Sequence, residues 1–153
     1  MRGFTLIEMM VVIAITAILF TIAIGAYQSL RSDSLVTSAR DQISSILHQA
    51  RLTALSQRVS QAVTIDFTND AITDALGNSH SYDGVDIEKV PSGSCTPDAT
   101  ASQAITFTSL GAATASVIKL SSASSTVTSY LIVNAITGGV YMYGSCTGSG
   151  VLS

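Results

Sequence analysis

Hydrophobic and polar positions divide this chain into three regimes. From Phe4 to Tyr27 nearly every position is apolar and Glu8 is the one charge. About 20 apolar residues rising ~1.5 Å each match a hydrocarbon core of ~30 Å, which predicts a membrane-spanning helix. The span has no Pro, and Thr16 and Thr21 can return their hydroxyls to the helix backbone, so it can satisfy its own polar groups in lipid. From Gln28 to about Ser56 no Gly or Pro obliges the helix to stop. Val36, Ala39, Ile43, Ile46, Leu47, Ala50 and Ala54 recur at the 3/4 spacing of one buried stripe. Arg31, Ser34, Asp41, Ser45, Gln49 and Gln57 occupy much of the other side. The pattern predicts a single helix of about 50 residues, apolar all round and then amphipathic. Gly25 is its weak point, since Gly costs about 1 kcal/mol relative to Ala in a helix.

Beyond Val59 the period falls to two. Val63, Ile65 and Phe67 share a face opposite Thr64 and Asp66, and Val85 and Ile87 alternate with Asp86 and Glu88. Residues 69–84 between them are acidic and turn-rich, and 91–102 read as a loop holding Cys95. Further strands are expected over 104–108, 116–120, 126–133 and 140–143, separated by Gly111 and the polar run 121–125. Gly138-Gly139 predicts a short hairpin in which both central residues take positive φ. A Gly- and Ser-rich stretch holding Cys146 follows. One long helix and then an antiparallel sheet on its amphipathic half is an α+β architecture.

Composition narrows the function. The 153 residues leave room for one modest domain beyond the apolar helix. Hydrophobic content of 47% and mean hydropathy of +0.47 reflect that helix and many alanines. Charged residues are only 11%, net charge is −3 and pI is about 5.0, which gives no electrostatic reason to expect nucleic acid as a partner. Arg40, Arg51 and Arg58 with His48 make the helix locally basic, but without the aromatic neighbours of a nucleic-acid groove. They can instead pair with the acidic loops or with a neighbouring subunit.

Two cysteines downstream of a membrane helix point to an oxidising compartment and a Cys95–Cys146 disulfide, the alternative being two separate thiols. Closing roughly 50 residues would stabilise by ~4 kcal/mol in the chain-entropy model. Gly144-Ser145-Cys146-Thr147-Gly148 has the outline of a nucleophile elbow, but no helical pattern follows it and His48 and His80 are far apart in sequence. No catalytic residue is expected. Asp83, Asp86 and Glu88 lack the order of a calcium-binding loop, so a solvated acidic face is the adopted reading and a calcium loop the alternative. The single, distant cysteines give no zinc spacing, and no cofactor is expected.

Glu8 remains. A charge deep in lipid costs roughly 2.5–3.5 kcal/mol on insertion scales, so it either sits near the interface, solvated or protonated, or faces a partner. The leader Met1-Arg2-Gly3 is short and no small-x-small site follows, unlike an ordinary signal peptide. The string Gly3-Phe4-Thr5-Leu6-Ile7-Glu8, ahead of an apolar helix, resembles the type III signal of type IV pilins and pseudopilins. The resemblance implies cleavage after Gly3 by a prepilin peptidase, methylation of the new Phe4 amine, and pairing of Glu8 with the Phe4 amine of a neighbouring subunit. Such pairing would remove two desolvation penalties at once and fix the axial register of adjacent helices.

Ala-Ile-Thr-Phe-Thr-Ser-Leu-Gly, then Val-Ile-Lys-Leu, then Tyr-Leu-Ile-Val-Asn-Ala-Ile-Thr-Gly-Gly-Val-Tyr-Met resemble the β-rich half of GspH/FimT-type minor pilins and pseudopilins. Where DNA-binding members carry Gly-Arg-x-Arg, this chain has Gly139-Val140-Tyr141-Met142, and after Asp98 its only charge is Lys119. The resemblance therefore implies a structural subunit rather than an enzyme. Residues 1–3 would be leader, 4–27 the transmembrane and filament-core helix, and 28–153 a periplasmic or extracellular α+β domain. It would begin as a single-pass inner-membrane protein with Arg2 on the cytoplasmic side and end in a filament beside other pilin subunits. A type IV pilus minor subunit is the leading expectation. A type II secretion pseudopilin is the alternative, with a DNA-binding competence pilin behind both.

Overall fold

The computed structural model describes residues 5–146, which form one helix and eight strands. Helix α1, Leu6–Gln57, runs 52 residues without a break. It starts where Thr5, in extended conformation, caps it and stops at Arg58, whose left-handed backbone (φ 56°) ends the helical hydrogen bonding. The amphipathic stripe is buried as its spacing requires. Val36, Ala39, Ile43, Leu47, Ala50 and Ala54 face the core, Ser44 joins them, and Ile46 is half-buried.

The strands form two four-stranded antiparallel sheets instead of the single sheet expected. The first has the order β3-β2-β1-β5, from β1 (Gln61–Asp66), β2 (Ala71–Thr73), β3 (Ser79–Ser81) and β5 (Ser102–Phe107). The second has the order β4-β6-β7-β8, from β4 (Asp86–Val90), β6 (Ser116–Ser121), β7 (Ser129–Val133) and β8 (Val140–Tyr143). In β1, Val63 and Ile65 point inward, and in β6, Ile118 and Leu120 do so, as period-two alternation requires. A 3.2 Å hydrogen bond from Ser116 Oγ to Gln103 Oε1 joins the sheets at one margin, and an isolated bridge pairs Phe107 with Ala113 of the β5–β6 connection. Elsewhere the Ile87 amide donates to Asp70 Oδ1 at 2.7 Å.

The β2–β3 hairpin lies in the stretch 69–84, expected to be acidic and turn-rich with no strand assigned. Asp74 Oδ1 accepts from the amides of Leu76 and Asn78, both at 2.9 Å, and so fixes the turn with side-chain chemistry where apolar pattern is lacking. The β7–β8 connection also differs from the expected hairpin. It spans residues 134–139, Asn134 Oδ1 accepts from the amides of Ile136 and Thr137, and the Gly138 amide returns to the Asn134 carbonyl at 2.9 Å. Of the two glycines only Gly138 has positive φ (60°). A Cβ there would strike the carbonyl oxygen of Gly111 and come within 3.3 Å of Arg51 Nε. The glycine thus answers to a distant loop as much as to its own turn.

One core joins helix and both sheets, with Ile43, Leu47, Ile65, Ile105, Phe107, Ile118, Leu120 and Leu131 fully buried. Each such side chain contributes roughly 1.5–3 kcal/mol through burial. Leu35 meets Gly84 near one end of the packed helix, and Leu55 meets Gly111 near the other. These ends, the root and the far end of the domain, are separated by 20 residues of helix, about 30 Å. Cys95 and Cys146 form a disulfide with Cα atoms 5.8 Å apart.

Candidate assembly surface

Among the described residues, the half of α1 before the root covers nothing. Its best 18-residue window has mean hydropathy 2.6 and no buried residue, and Leu6, Ile13, Phe20 and Ile22 are all exposed. A helix apolar on every side is stable only inside lipid or among other helices. Its hydroxyls are already engaged, Thr16 Oγ1 donating to the Ile13 carbonyl (3.0 Å) and Thr21 Oγ1 to the Ala17 carbonyl (2.9 Å). No neighbouring group lies within 4 Å of a Cβ built on Gly25.

Glu8 sits at the third helical position, where its backbone amide donates to Thr5 Oγ1 at 3.3 Å and its carboxylate accepts from the Thr5 amide at 3.5 Å. This reciprocal capping box carries the Thr-x-x-Glu signature at Thr5 and Glu8. Both contacts are long, so they leave the carboxylate exposed on the helix surface and open to a stronger donor. Gly3 and Phe4, where cleavage and methylation are expected, lie outside the described residues.

At the root, Asp33 ties the helix to the β6–β7 connection 92 residues later. Its carboxylate accepts from Ser125 Oγ (2.6 Å), the Thr126 amide (2.9 Å) and Thr126 Oγ1 (3.3 Å). The Ser125 bond above all, then those from Thr126, hold its pKa below the ordinary carboxylate value. This clamp also explains why β7 begins at Ser129 and not at Thr126. Nearby, burial pushes the Asp70 carboxyl upward, aided by the negative charges of Asp86, Glu88 and Asp66 and opposed by the Ile87 amide.

The other chemical candidates are dispersed. Among the described residues no three His, Cys, Asp or Glu side chains converge as a metal site. Glu88 pairs with Lys119 at 2.7 Å, while Asp83 accepts from Ser81 Oγ at 3.4 Å. Cys146 sulfur is held in the disulfide, and Thr147 and Gly148 of the elbow-like string lie outside the described residues. His80 lies on β3 with Nε2 3.7 Å from Asp74, and His48 is exposed on the helix. Arg40 pairs with the adjacent Asp41 at 2.8 Å, whereas Arg51 and Arg58 make no ion pair among the described residues.

Residues 1–24 match the family described as the prokaryotic N-terminal methylation motif. Two curated relatives, each a fimbrial protein of Pseudomonas aeruginosa, are 37% identical over 86 residues, covering 51% of this chain and 56% of theirs. The chain thus spans about half the length of the curated relatives it matches. The minor pseudopilin EpsH of the Vibrio cholerae type 2 secretion system superposes with TM-score 0.54 at 13% identity, covering 71% of this chain and 94% of that one. The type IV minor pilin FimU of Pseudomonas aeruginosa gives TM-score 0.51 at 16% identity, over 70% and 87%. At these identities the structural likeness is one of fold.

Proposed function

We propose that this chain, type IV pilin-like in its leader motif and its fold, is a structural minor subunit of a type IV pilus. A prepilin peptidase removes residues 1–3, the Phe4 amine is methylated, and the mature chain waits in the inner membrane with residues 28–153 in the periplasm. Residues 4–27 then pass from lipid into a filament core, where Glu8 meets the Phe4 amine of a neighbour. The observation that carries this reading is a continuous helix, half embedded in its own domain and half apolar with one acid, directly after a methylation motif.

Mass spectrometry of the mature N-terminus tests it, combined with immunoblotting of sheared surface filaments. A chain beginning at methylated Phe4 and present in the sheared fraction is the expected result. Retention of Met1-Arg2-Gly3 in a chain confined to the membrane refutes the proposal. The likeness to EpsH favours a second reading, a pseudopilin acting in protein export. It predicts lost secretion and unaltered surface pili on deletion. A DNA-binding competence role predicts a salt-dependent DNA shift, against which stands the lack of any arginine in Gly139-Val140-Tyr141-Met142.

A further inference from the structure

The far end of the domain combines exposed apolar side chains with cations that make no ion pair among the described residues. Leu110 and Ile136 are 92% and 85% exposed on neighbouring loops, which are joined by the Ala113 amide donating to the Ala135 carbonyl at 2.9 Å. Leu55 lies under the first loop, within 3.3 Å of a Cβ on Gly111, and Leu52 is exposed one helical turn before it. Arg51 reaches the same place, since its Nε is 3.3 Å from a Cβ on Gly138. That nitrogen is buried with no hydrogen-bond partner among the described residues. Arg58 follows at the end of the helix.

The root carries the opposite charge. Gly84, next to Asp83, meets Leu35, the Asp70 carboxylate accepts from the Ile87 amide beside Asp86, and Asp66 pairs in register with Ala71 beside Asp70. Asp66, Asp70, Asp83 and Asp86 make no ion pair among the described residues, and Arg31 is the one nearby cation on the helix. The domain therefore presents complementary faces about 30 Å apart along one rigid helix. A self-complementary charge pair on opposite ends favours head-to-tail over symmetric contact, and such contact propagates along an axis.

We infer that the far-end patch of Arg51, Arg58, Leu55, Leu110 and Ile136 docks on the acidic root of a second copy of this chain. This rests on the filament reading above, and the contact joins copies offset by about 30 Å along the axis, a different neighbour from the one whose Phe4 amine meets Glu8. The test co-expresses two full-length, differently tagged copies, one Leu110→Cys and one Asp86→Cys, in cells that process the leader. A bismaleimide links them. The mixed dimer is expected, and it should fall roughly tenfold or more when the Leu110→Cys copy also carries Arg51→Glu and Arg58→Glu. Asp83→Lys in the other copy, added to its Asp86→Cys, should restore it. Because Arg51 is partly buried, Ile136→Asp at the exposed loop provides a second variant that leaves the core untouched and should give the same loss.

The inference is overturned if both processed copies reach filaments without the mixed dimer. It is equally overturned if a Leu110-to-Leu110 dimer dominates, or if Leu110→Cys is captured by a thiol of a different subunit. Failure of processing or of filament incorporation would instead strike the functional reading beneath it.

Discussion

Substitutions at Thr5 and Glu8 separate two roles that one carboxylate can play. In the structure Glu8 closes a capping box with Thr5 through contacts of 3.3 and 3.5 Å, beyond the usual 2.7–3.2 Å. Such a cap stabilises near the low end of its range, about 0.5 kcal/mol, which is only about a twofold effect. Pairing with a neighbour's ammonium in a water-poor bundle is far larger. Removing one member of a buried pair costs about 3–5 kcal/mol, roughly two to three and a half powers of ten in an equilibrium. Thr5→Ala should therefore lower filament incorporation by about twofold. Glu8→Ala should lower it by about a hundredfold or more, and so should Glu8→Gln, although glutamine can still accept from the Thr5 amide. Sheared-filament and membrane fractions, quantified by immunoblot and paired with the mature N-terminal mass, measure this at constant processing. Wild-type incorporation of Glu8→Gln, or equal damage from Thr5→Ala, would refute the charge-pairing argument and leave the cap as the explanation.

Three other outcomes follow from the domain. Gly138→Ala should destabilise it by about 1–3 kcal/mol, because the new Cβ meets the Gly111 carbonyl at positive φ, whereas Gly25→Ala should stabilise the helix by about 1 kcal/mol; denaturant midpoints of the full chain in detergent compare them. Cys95→Ala should cost about 4 kcal/mol in the chain-entropy model, since the bridge spans 51 residues, and reduction of the parent chain should reproduce the loss. Asp33, Asp66, Asp74 and Asp98 have folded pKa values below the ordinary 3.8, so their stabilisation is present above that value and is lost as pH falls through the lower folded values. Asp70, shifted upward, contributes with the opposite sign, destabilising fully above its folded pKa, less as pH falls through it, and not at all below the ordinary 3.8. Thermal melts followed by circular dichroism from roughly pH 5 to 2 should show Asp33→Asn flattening the acid slope.

The helix was the most legible element in the residue pattern, and the reason is local. An uninterrupted run without Gly or Pro after Gly25, and a 3/4 stripe from Val36 to Ala54, specify length and buried face with no knowledge of the strands. Strands with clean alternation, such as β1 and β6, were legible for the same reason. The β2–β3 hairpin was not, because Ile72 is its only buried apolar side chain and its turn is set by Asp74. The division into two sheets depends on pairings between residues far apart, which no local period records. At the site, the leader string points to Glu8 as a pairing group, and the same residues carry a second, local signal, the Thr-x-x-Glu capping spacing of Thr5 and Glu8. The Asp33 clamp left no sequence trace, since its partners lie 92 and 93 residues away.

Because α1 passes from its apolar half into the domain without a joint, the domain has no independent heading. Each residue turns the helix by ~100° and lifts it by ~1.5 Å. Adding or removing a single residue between Gln28 and Leu35 would swing the whole β-rich body to another side of the axis while barely changing its height. The chain behaves as a vane fixed to a spindle, and the spindle's phase decides which way every outer loop points.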